Sequence, residues 1–335
     1  MERLGHIEKL CRFGGTSVGF ITAVMLALGH TSEKLIYVMK YGPFFNDALD
    51  ARCGPFSLIP NVLSHLGWHP GRIFYRWIGE MVEEKLGNTD ATFRDLYEAT
   101  GKELGVVVTN LSLKMEEYCH VKTTPLLPIR AAVRMSIAIP GVFCPFQWKY
   151  NDRTDLYVDG GLICNYPIHC FDGWWLSMKP ADSFFRRLQP LSEIGQLLTK
   201  KSRFGTFNKK TLGFILFSSH DQHILATNPD LLPTRAPMPN TRLARAHKVF
   251  MKKHTRELRK HRIKTDAMTR FIKVLNDNNL DGNDNIDFDE FRQACDQSGD
   301  NERTVLINTV YIKSLDFDGE LDDWDFLVEA FQLFS

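Results

Sequence analysis

The sequence FGGTSVGFITAVMLAL, Phe13 to Leu28, joins a serine bracketed by glycines to an apolar segment. Ser17 is the centre of a G-x-S-x-G pattern with Gly15, Thr16, Val18 and Gly19. This pattern predicts a sharp strand-to-helix turn in which glycines are needed because a Cβ would clash, and which lifts the serine hydroxyl clear of the backbone. The predicted helix, Phe20 to Leu28, directs its first N–H groups toward the hydroxyl, where negative charge develops in acyl transfer. The stretch therefore predicts half of a site for ester chemistry.

A carboxylate that could complete this site lies in LYVDGG, Leu156 to Gly161. The short apolar run predicts a strand that ends at Asp159 and presents its carboxylate at the edge of a sheet. Gly160 and Gly161 let the backbone turn away tightly and leave room for a substrate. On its own a D-G-G is typical of a turn, so the role of Asp159 depends on the motifs that accompany it.

The chain resembles the patatin-like phospholipase family in several motifs that follow the family's order. After GTSVG these are VVVTNLS at Val106 to Ser112, Thr124-Pro125, Pro128 to Arg130, AAVRMSIAIPGVFCPF at Ala131 to Phe146, and VDGGLICNYPI at Val158 to Ile168. The resemblance is close from Leu4 to Pro167 and weaker as far as Ser219. It implies an α/β fold, a sandwich of helices around a mainly parallel sheet.

The same resemblance implies a Ser/Asp dyad that works without a histidine or a cofactor. Ser17 would be the nucleophile and Asp159 the base, and the substrate would be a phospholipid or another lipid acyl ester. Members of the family carry a glycine-rich turn upstream of the serine, and its N–H groups form the oxyanion hole. The sequence before the serine, MERLGHIEKLCRF, has no such turn. Two alternatives stay open: the sequence as given lacks an N-terminal piece that carries this turn, or catalysis is weakened, because each lost oxyanion donor lowers the rate about a hundredfold to a thousandfold.

A Ser/Asp/His triad is the rival interpretation, since His220 follows a predicted late strand of the same sheet, Thr211 to Ser219. That chain order is typical of α/β-hydrolases. However, those proteins place several strands before the nucleophile, whereas only about a dozen residues precede the stretch that begins at Phe13 here. The dyad is the favoured hypothesis.

Composition indicates a cytosolic protein. The formal net charge is +1, and the seven cysteines are odd in number and show no C-x-x-C spacing, which favours reduced thiols. The apolar run from Val18 to Leu28 is too short to span a bilayer. We expect no nucleic-acid partner.

The length of 335 residues allows more than one domain. We predict an acyl hydrolase domain at residues 1–227, a linker at 228–264 and a third domain at 265–335. The linker is first rich in proline, and from Arg242 to Lys264 it holds ten Lys or Arg and a single acid, Glu257. Two interpretations stay open for this basic helix: peripheral contact with an anionic membrane, or a solvated helix that faces the acidic third domain.

The third domain, residues 265–335, is predicted to be an EF-hand pair. Its 17 Asp or Glu outnumber five Lys or Arg, and the acidic residues fall in two clusters with calcium-loop spacing. The ligands of the first loop would be Asn279, Asp281, Asn283, Asn285 through its carbonyl, Asp287 and Glu290. Those of the second would be Ser314, Asp316, Asp318, Glu320 through its carbonyl, Asp322 and Asp325. Asp284 replaces the usual glycine in the first loop, and Asp325 replaces the bidentate Glu in the second, which weakens calcium binding.

These patterns predict a calcium-responsive lipid acyl hydrolase in which calcium acts at a distance through an all-α EF-hand pair. Two alternatives remain. The third domain could keep its fold and bind metal poorly, or the whole chain could be a lipid-binding protein that responds to calcium without catalysing a reaction.

Overall fold

The computed structural model describes residues 2, 5–42, 67–150, 152–187, 194–217, 239–245, 248–249 and 303–308. The chain divides into two compact units, Met1–Gly213 and Phe214–Ser335. The helices are α1 Val18–Ala27, α2 Ser32–Tyr41, α3 Arg72–Leu86, α4 Phe93–Thr100, α5 Ile129–Ser136, α6 Phe184–Arg187, α7 Ile194–Leu197 and α8 Lys200–Phe204. The strands are β1 Arg12–Gly15, β2 Gly67–His69, β3 Glu103–Asn110, β4 Met115–His120, β5 Gly141–Phe143, β6 Phe146–Tyr150, β7 Arg153–Asp159, β8 Gly213–Phe217 and β9 Thr304–Asn308.

A five-stranded sheet built around β3 forms the centre of the first unit. Strand β3 runs parallel to β1 and antiparallel to β4 and β7, and β6 pairs antiparallel with β7. The predicted α/β class is confirmed, but among the described strands of this sheet only β1 and β3 form a parallel pair. The reason is local: β3–β4 and β6–β7 are joined by short turns, and such hairpins require antiparallel pairing.

The pairing register brings the carboxyl ends of β1 and β7 together on one edge of β3. Strand β4 occupies one edge along Gly105 to Asn110, so β1 and β7 must share the other. Gly15 pairs with Val106, and Asp159 pairs with Val108. Because β1 is parallel and β7 antiparallel to β3, the two strands point toward each other at this place. The residue after Gly15 and the side chain of Asp159 are therefore close.

Two helices cover this part of the sheet and carry the core. Helix α1 is apolar around most of its surface, and Phe20, Val24 and Met25 are fully buried. A helix of that kind is stable only inside a protein. Helix α5 is also almost wholly buried and packs against β3, with Ile129 and Met135 in the same cluster as the α1 residues. The turn that follows β1 is thus held between a rigid strand and a buried helix.

The second unit contains the two-stranded sheet of β8 and β9. The strand predicted within Thr211 to Ser219 is present and pairs with β9, whereas the notion that it belongs to the central sheet finds no support among the described strands, none of which in that sheet pairs with β8. The all-α expectation for 265–335 is wrong at Thr304–Asn308, which is extended. Three of the five residues of this segment, TVLIN, are β-branched, a composition that favours a strand.

Both predicted calcium loops, Asn279 to Glu290 and Ser314 to Asp325, lie outside the described residues, as does most of the linker. The three-part division at 227 and 264 stays a prediction. In the part of the chain that the structure describes, no helix has both the length and the apolar character needed to cross a membrane.

Candidate active site

Ser17 lies in the turn between β1 and α1, with a backbone conformation that few non-glycine residues adopt. Its φ is 54° and its ψ is −133°. Gly15 permits this turn, since a Cβ there would lie 2.7 Å from the backbone carbonyl of Gly19. At Gly19 the predicted clash is absent, because a Cβ added to this residue would meet nothing within 4 Å. The clash argument therefore holds for the first glycine of the pattern and not for the second.

A buried hydroxyl from helix α5 fixes the backbone of this turn. Ser136 Oγ accepts a hydrogen bond of 2.9 Å from the Ser17 N–H and donates one of 3.1 Å to the carbonyl of Val107. Ser136 is completely buried. Since Val107 lies on β3 between the residues that pair with β1 and β7, this hydroxyl ties the turn to the centre of the sheet.

Asp159 is held at the end of β7 by bonds to both its backbone and its side chain. Its N–H donates to the carbonyl of Ala138 at 3.0 Å, and its own carbonyl accepts from Thr109 Oγ1 at 3.0 Å. Its side-chain Oδ1 accepts from the Gly161 N–H at 2.7 Å. A Cβ at Gly160 would lie 2.2 Å from the Val107 carbonyl, so only glycine allows the chain to turn here.

The Ser17 side chain lies near the Asp159 carboxylate, close enough to affect the pKa of that carboxyl. Burial raises the pKa of Asp159, while the hydrogen bonds from Ser17 and from the Gly161 N–H lower it; the net shift is upward. Among the described residues, Oδ2 has no partner with good hydrogen-bond geometry. The contact with Ser17 is thus a loose one, as is common before a substrate binds. A buried carboxylate with a raised pKa accepts a proton more readily than a free aspartate does.

The first turn of α1 provides N–H groups beside the Ser17 hydroxyl. Val18 and Gly19 are the first two residues of this helix, and N–H groups in the first turn have no carbonyl to bond within the helix. They also lie at the positive end of the helix dipole. These two groups can therefore stabilise negative charge that develops next to Ser17.

The match to a known family covers the whole of this region. Residues 2–172 match the family described as patatin-like phospholipase. The chain belongs to the patatin-like phospholipase family. The match ends at Asp172, after both the serine turn and the D-G-G turn.

Three relatives of this patatin-like chain share its sequence to a similar degree. A probable lipid hydrolase, 463L, of invertebrate iridescent virus 6 is 29% identical over 229 residues, which cover 68% of this chain and 72% of the viral protein. Uncharacterized protein YqhO of Bacillus subtilis is 29% identical over 48% of this chain and 56% of its own length. Uncharacterized protein R571 of Acanthamoeba polyphaga mimivirus is 30% identical over 47% of this chain and 49% of its own. The chain spans about half the length of the last two.

A solved protein structure can also be aligned with this patatin-like chain. VipD from Legionella pneumophila aligns with 99% of this chain and 63% of its own, at 15% identity and a TM-score of 0.40.

The predicted catalytic residues of the patatin-like domain lie close together, whereas the predicted metal ligands are not among the described residues. Ser17 and Asp159 meet with their flanking residues, whereas His220 of the rival triad and all twelve predicted calcium ligands lie outside the described residues. In the described ranges, no group of three or more His, Cys, Asp or Glu side chains could hold a metal ion.

Ser136 is the residue that sequence reasoning missed. It lies inside the motif AAVRMSIAIPGVFCPF, but the motif alone gives it no role. One feature could have singled it out: it is a small polar residue between Met135 and Ile137 in an apolar run, and a buried hydroxyl needs hydrogen-bond partners.

Proposed function

We propose that the protein cleaves acyl esters of phospholipids or other lipids through a covalent intermediate on Ser17, with Asp159 as the base. One observation supports this proposal: β1 and β7 end opposite each other on β3, so the turn that carries Ser17 lies next to the buried carboxylate of Asp159. Membership of the patatin-like phospholipase family and the similarity to a probable lipid hydrolase of invertebrate iridescent virus 6 support a lipid substrate.

In the first half of the reaction, Ser17 Oγ attacks the carbonyl carbon of the ester as Asp159 takes the hydroxyl proton. The carbonyl oxygen becomes an oxyanion and accepts hydrogen bonds from the N–H groups of Val18 and Gly19. The bond to the alcohol oxygen then breaks, and the alcohol leaves with the proton that Asp159 held. The acyl group stays on Ser17 as an ester.

In the second half, water takes the place of the alcohol. Asp159 accepts a proton from the water, whose oxygen attacks the acyl carbon. When the tetrahedral intermediate collapses, the proton returns to Ser17 Oγ and the fatty acid leaves. A raised pKa serves both halves, since the same carboxyl must first accept a proton and then release it.

Hydrolysis by single-residue variants tests this proposal. We expect Ser17→Ala and Asp159→Asn each to lower kcat for a lipid ester by about a thousandfold or more, because the nucleophile and the base act as one unit. Ser177→Ala is the matched control, since Ser177 caps a surface turn through its bond to the Lys179 N–H and should not affect kcat. Equal activity in wild type and Ser17→Ala would refute the role of Ser17. Activity that survives in Asp159→Asn would point to a different base, and His220→Ala would then test the triad.

We further propose that the protein is cytosolic and responds to calcium through its C-terminal region. The supporting observation is the spacing of acids between Asn279 and Asp325. Calcium held there would be regulatory, because the proposed chemistry needs only Ser17 and Asp159. Peripheral contact of residues 242–264 with an anionic membrane belongs to the same proposal, since ten basic residues in this segment would favour an anionic surface.

A further inference from the structure

The turn that follows Asp159 contacts the serine turn at both of its ends, by a hydrogen bond at one and by packing at the other. Thr16 Oγ1 donates a hydrogen bond of 3.2 Å to the carbonyl of Cys164. At the other end, a Cβ at Gly160 would lie 3.0 Å from Thr16 Cγ2, so the Gly160 backbone packs directly on Thr16. The two residues between Gly161 and Cys164 are therefore held next to the residue that precedes Ser17.

Those two residues, Leu162 and Ile163, are aliphatic and exposed. Leu162 is 58% exposed and Ile163 is 48% exposed, in a surface turn where polar side chains are the rule. On the other side of the nucleophile, Val18 is 38% exposed at the start of α1. We call Val18, Leu162 and Ile163 the rim.

The rim residues lie on the two turns that carry Ser17 and Asp159, and this position makes their exposure unusual. Single exposed aliphatic residues are ordinary on protein surfaces, but three of them beside one catalytic hydroxyl form a site that an apolar ligand can cover. An ester bound at Ser17 carries its acyl carbonyl into the space between the serine turn and the D-G-G turn. The hydrocarbon chain attached to that carbonyl must then leave past the same two turns.

We propose that the rim is the binding site for the acyl chain and that Leu162 and Ile163 determine the preference for chain length. This proposal rests on the proposed role of Ser17 as the site of acyl transfer. Each methylene that packs on the rim loses contact with water, and full burial of one methylene strengthens binding about fourfold. A longer chain therefore binds more tightly until it extends past Leu162 and Ile163.

Binding of inert alkylphosphonates to the Ser17→Ala protein tests the rim without any turnover. We expect decylphosphonate to bind about tenfold or more tightly than butylphosphonate, since several methylenes reach the rim. In Leu162→Ser/Ile163→Ser, the ratio of the two dissociation constants should fall to about threefold or less, while butylphosphonate binds as before. Leu126→Ser is the matched control, because Leu126 is 67% exposed and lies in the turn before α5, where the ratio should not change.

An unchanged ratio in the double variant would overturn the proposal, whether both ligands bind as before or both weaken equally. If the double variant with an unchanged ratio also binds lipid vesicles less well than Leu126→Ser does, the rim contacts a bilayer surface instead. The proposed function fails separately: if wild type shows no Ser17-dependent hydrolysis while the chain-length ratio behaves as expected, the rim binds acyl chains in a protein that does not cleave them.

Discussion

Ser17 shows how one residue can be both strained and well supported. A non-glycine residue with a φ of 54° costs about 1–3 kcal/mol unless its surroundings enforce that conformation. Here the enforcing groups are the close packing at Gly15 and the Ser136 hydroxyl that accepts the Ser17 N–H. The strain keeps the Ser17 side chain at the end of β1, where it faces Asp159.

Replacing Ser136 with alanine tests this support. The change leaves the Ser17 N–H without its acceptor, so we expect the free energy of unfolding to fall by about 1–3 kcal/mol. At a temperature where both proteins are folded, Ser17 should also react more slowly with a fluorophosphonate, because its hydroxyl is no longer held in place. Ser177→Ala is the control in both measurements. An unchanged rate of labelling in a destabilised Ser136→Ala protein would mean that Ser136 is purely structural.

Asp159 carries a cost in stability that its proposed role as a base would explain. Burial raises its pKa in the folded state, so ionisation of this carboxyl near neutral pH opposes folding. We expect Asp159→Asn to unfold at a higher temperature than wild type at pH 7, since Asn is neutral and its Oδ1 can still accept from the Gly161 N–H. The difference should disappear as the pH falls below the unfolded-state value of about 3.9, where the carboxyl is neutral in both states. A variant that is less stable at pH 7, or a difference that does not depend on pH, would contradict this account.

Among the strands and turns, the sequence predicts each motif separately, but it does not predict how the strands pair to bring the two turns together. The G-x-S-x-G and D-G-G patterns identify Ser17 and Asp159 because glycines mark sharp turns at any distance along the chain. What brings the two turns together is the register of β1 and β7 on β3, and register depends on hairpin geometry and core packing. The same limit explains Ser136, whose partners lie on two other elements.

Replacing each of the two glycines of the serine turn with alanine tests how tightly this turn is packed. In Gly15→Ala the new Cβ would lie 2.7 Å from the Gly19 backbone, so we expect the free energy of unfolding to fall by about 1–3 kcal/mol. In Gly19→Ala the Cβ enters open space, and helix propensity should raise stability by up to about 1 kcal/mol. Chemical denaturation measures both. Equal losses in the two variants would show that the turn is packed differently.

At the scale of the whole molecule, sequence patterns predicted the two regions unequally. The α/β class of the N-terminal unit was implied by the resemblance of its motifs to the patatin-like phospholipase family, and this unit has the large apolar core that such a fold requires. In the C-terminal unit, acid spacing predicted helices, yet Thr304–Asn308 forms a strand with β8. Acid spacing reports metal chemistry and says little about backbone conformation between the loops, where β-branched residues favour extension.

Calcium dependence tests the proposed role of the C-terminal region. We expect turnover of lipid vesicles to change severalfold between saturating calcium and a chelator, because calcium would order the region that holds it. Glu290→Gln/Asp325→Asn should remove this difference, since each change deletes a charged ligand from the last position of a loop. Turnover and vesicle binding that are the same with calcium and with chelator would end the proposal, and the acyl hydrolase activity would be unaffected by that result.

Covalent labelling is a direct test of the proposal that Ser17 is a nucleophile activated by Asp159. The protein is treated with a fluorophosphonate, and the modified peptide is identified by mass spectrometry. We predict a single adduct on Ser17, absent from Ser17→Ala and formed much more slowly in Asp159→Asn. An adduct on a different serine, or labelling of Asp159→Asn at the wild-type rate, would contradict the account.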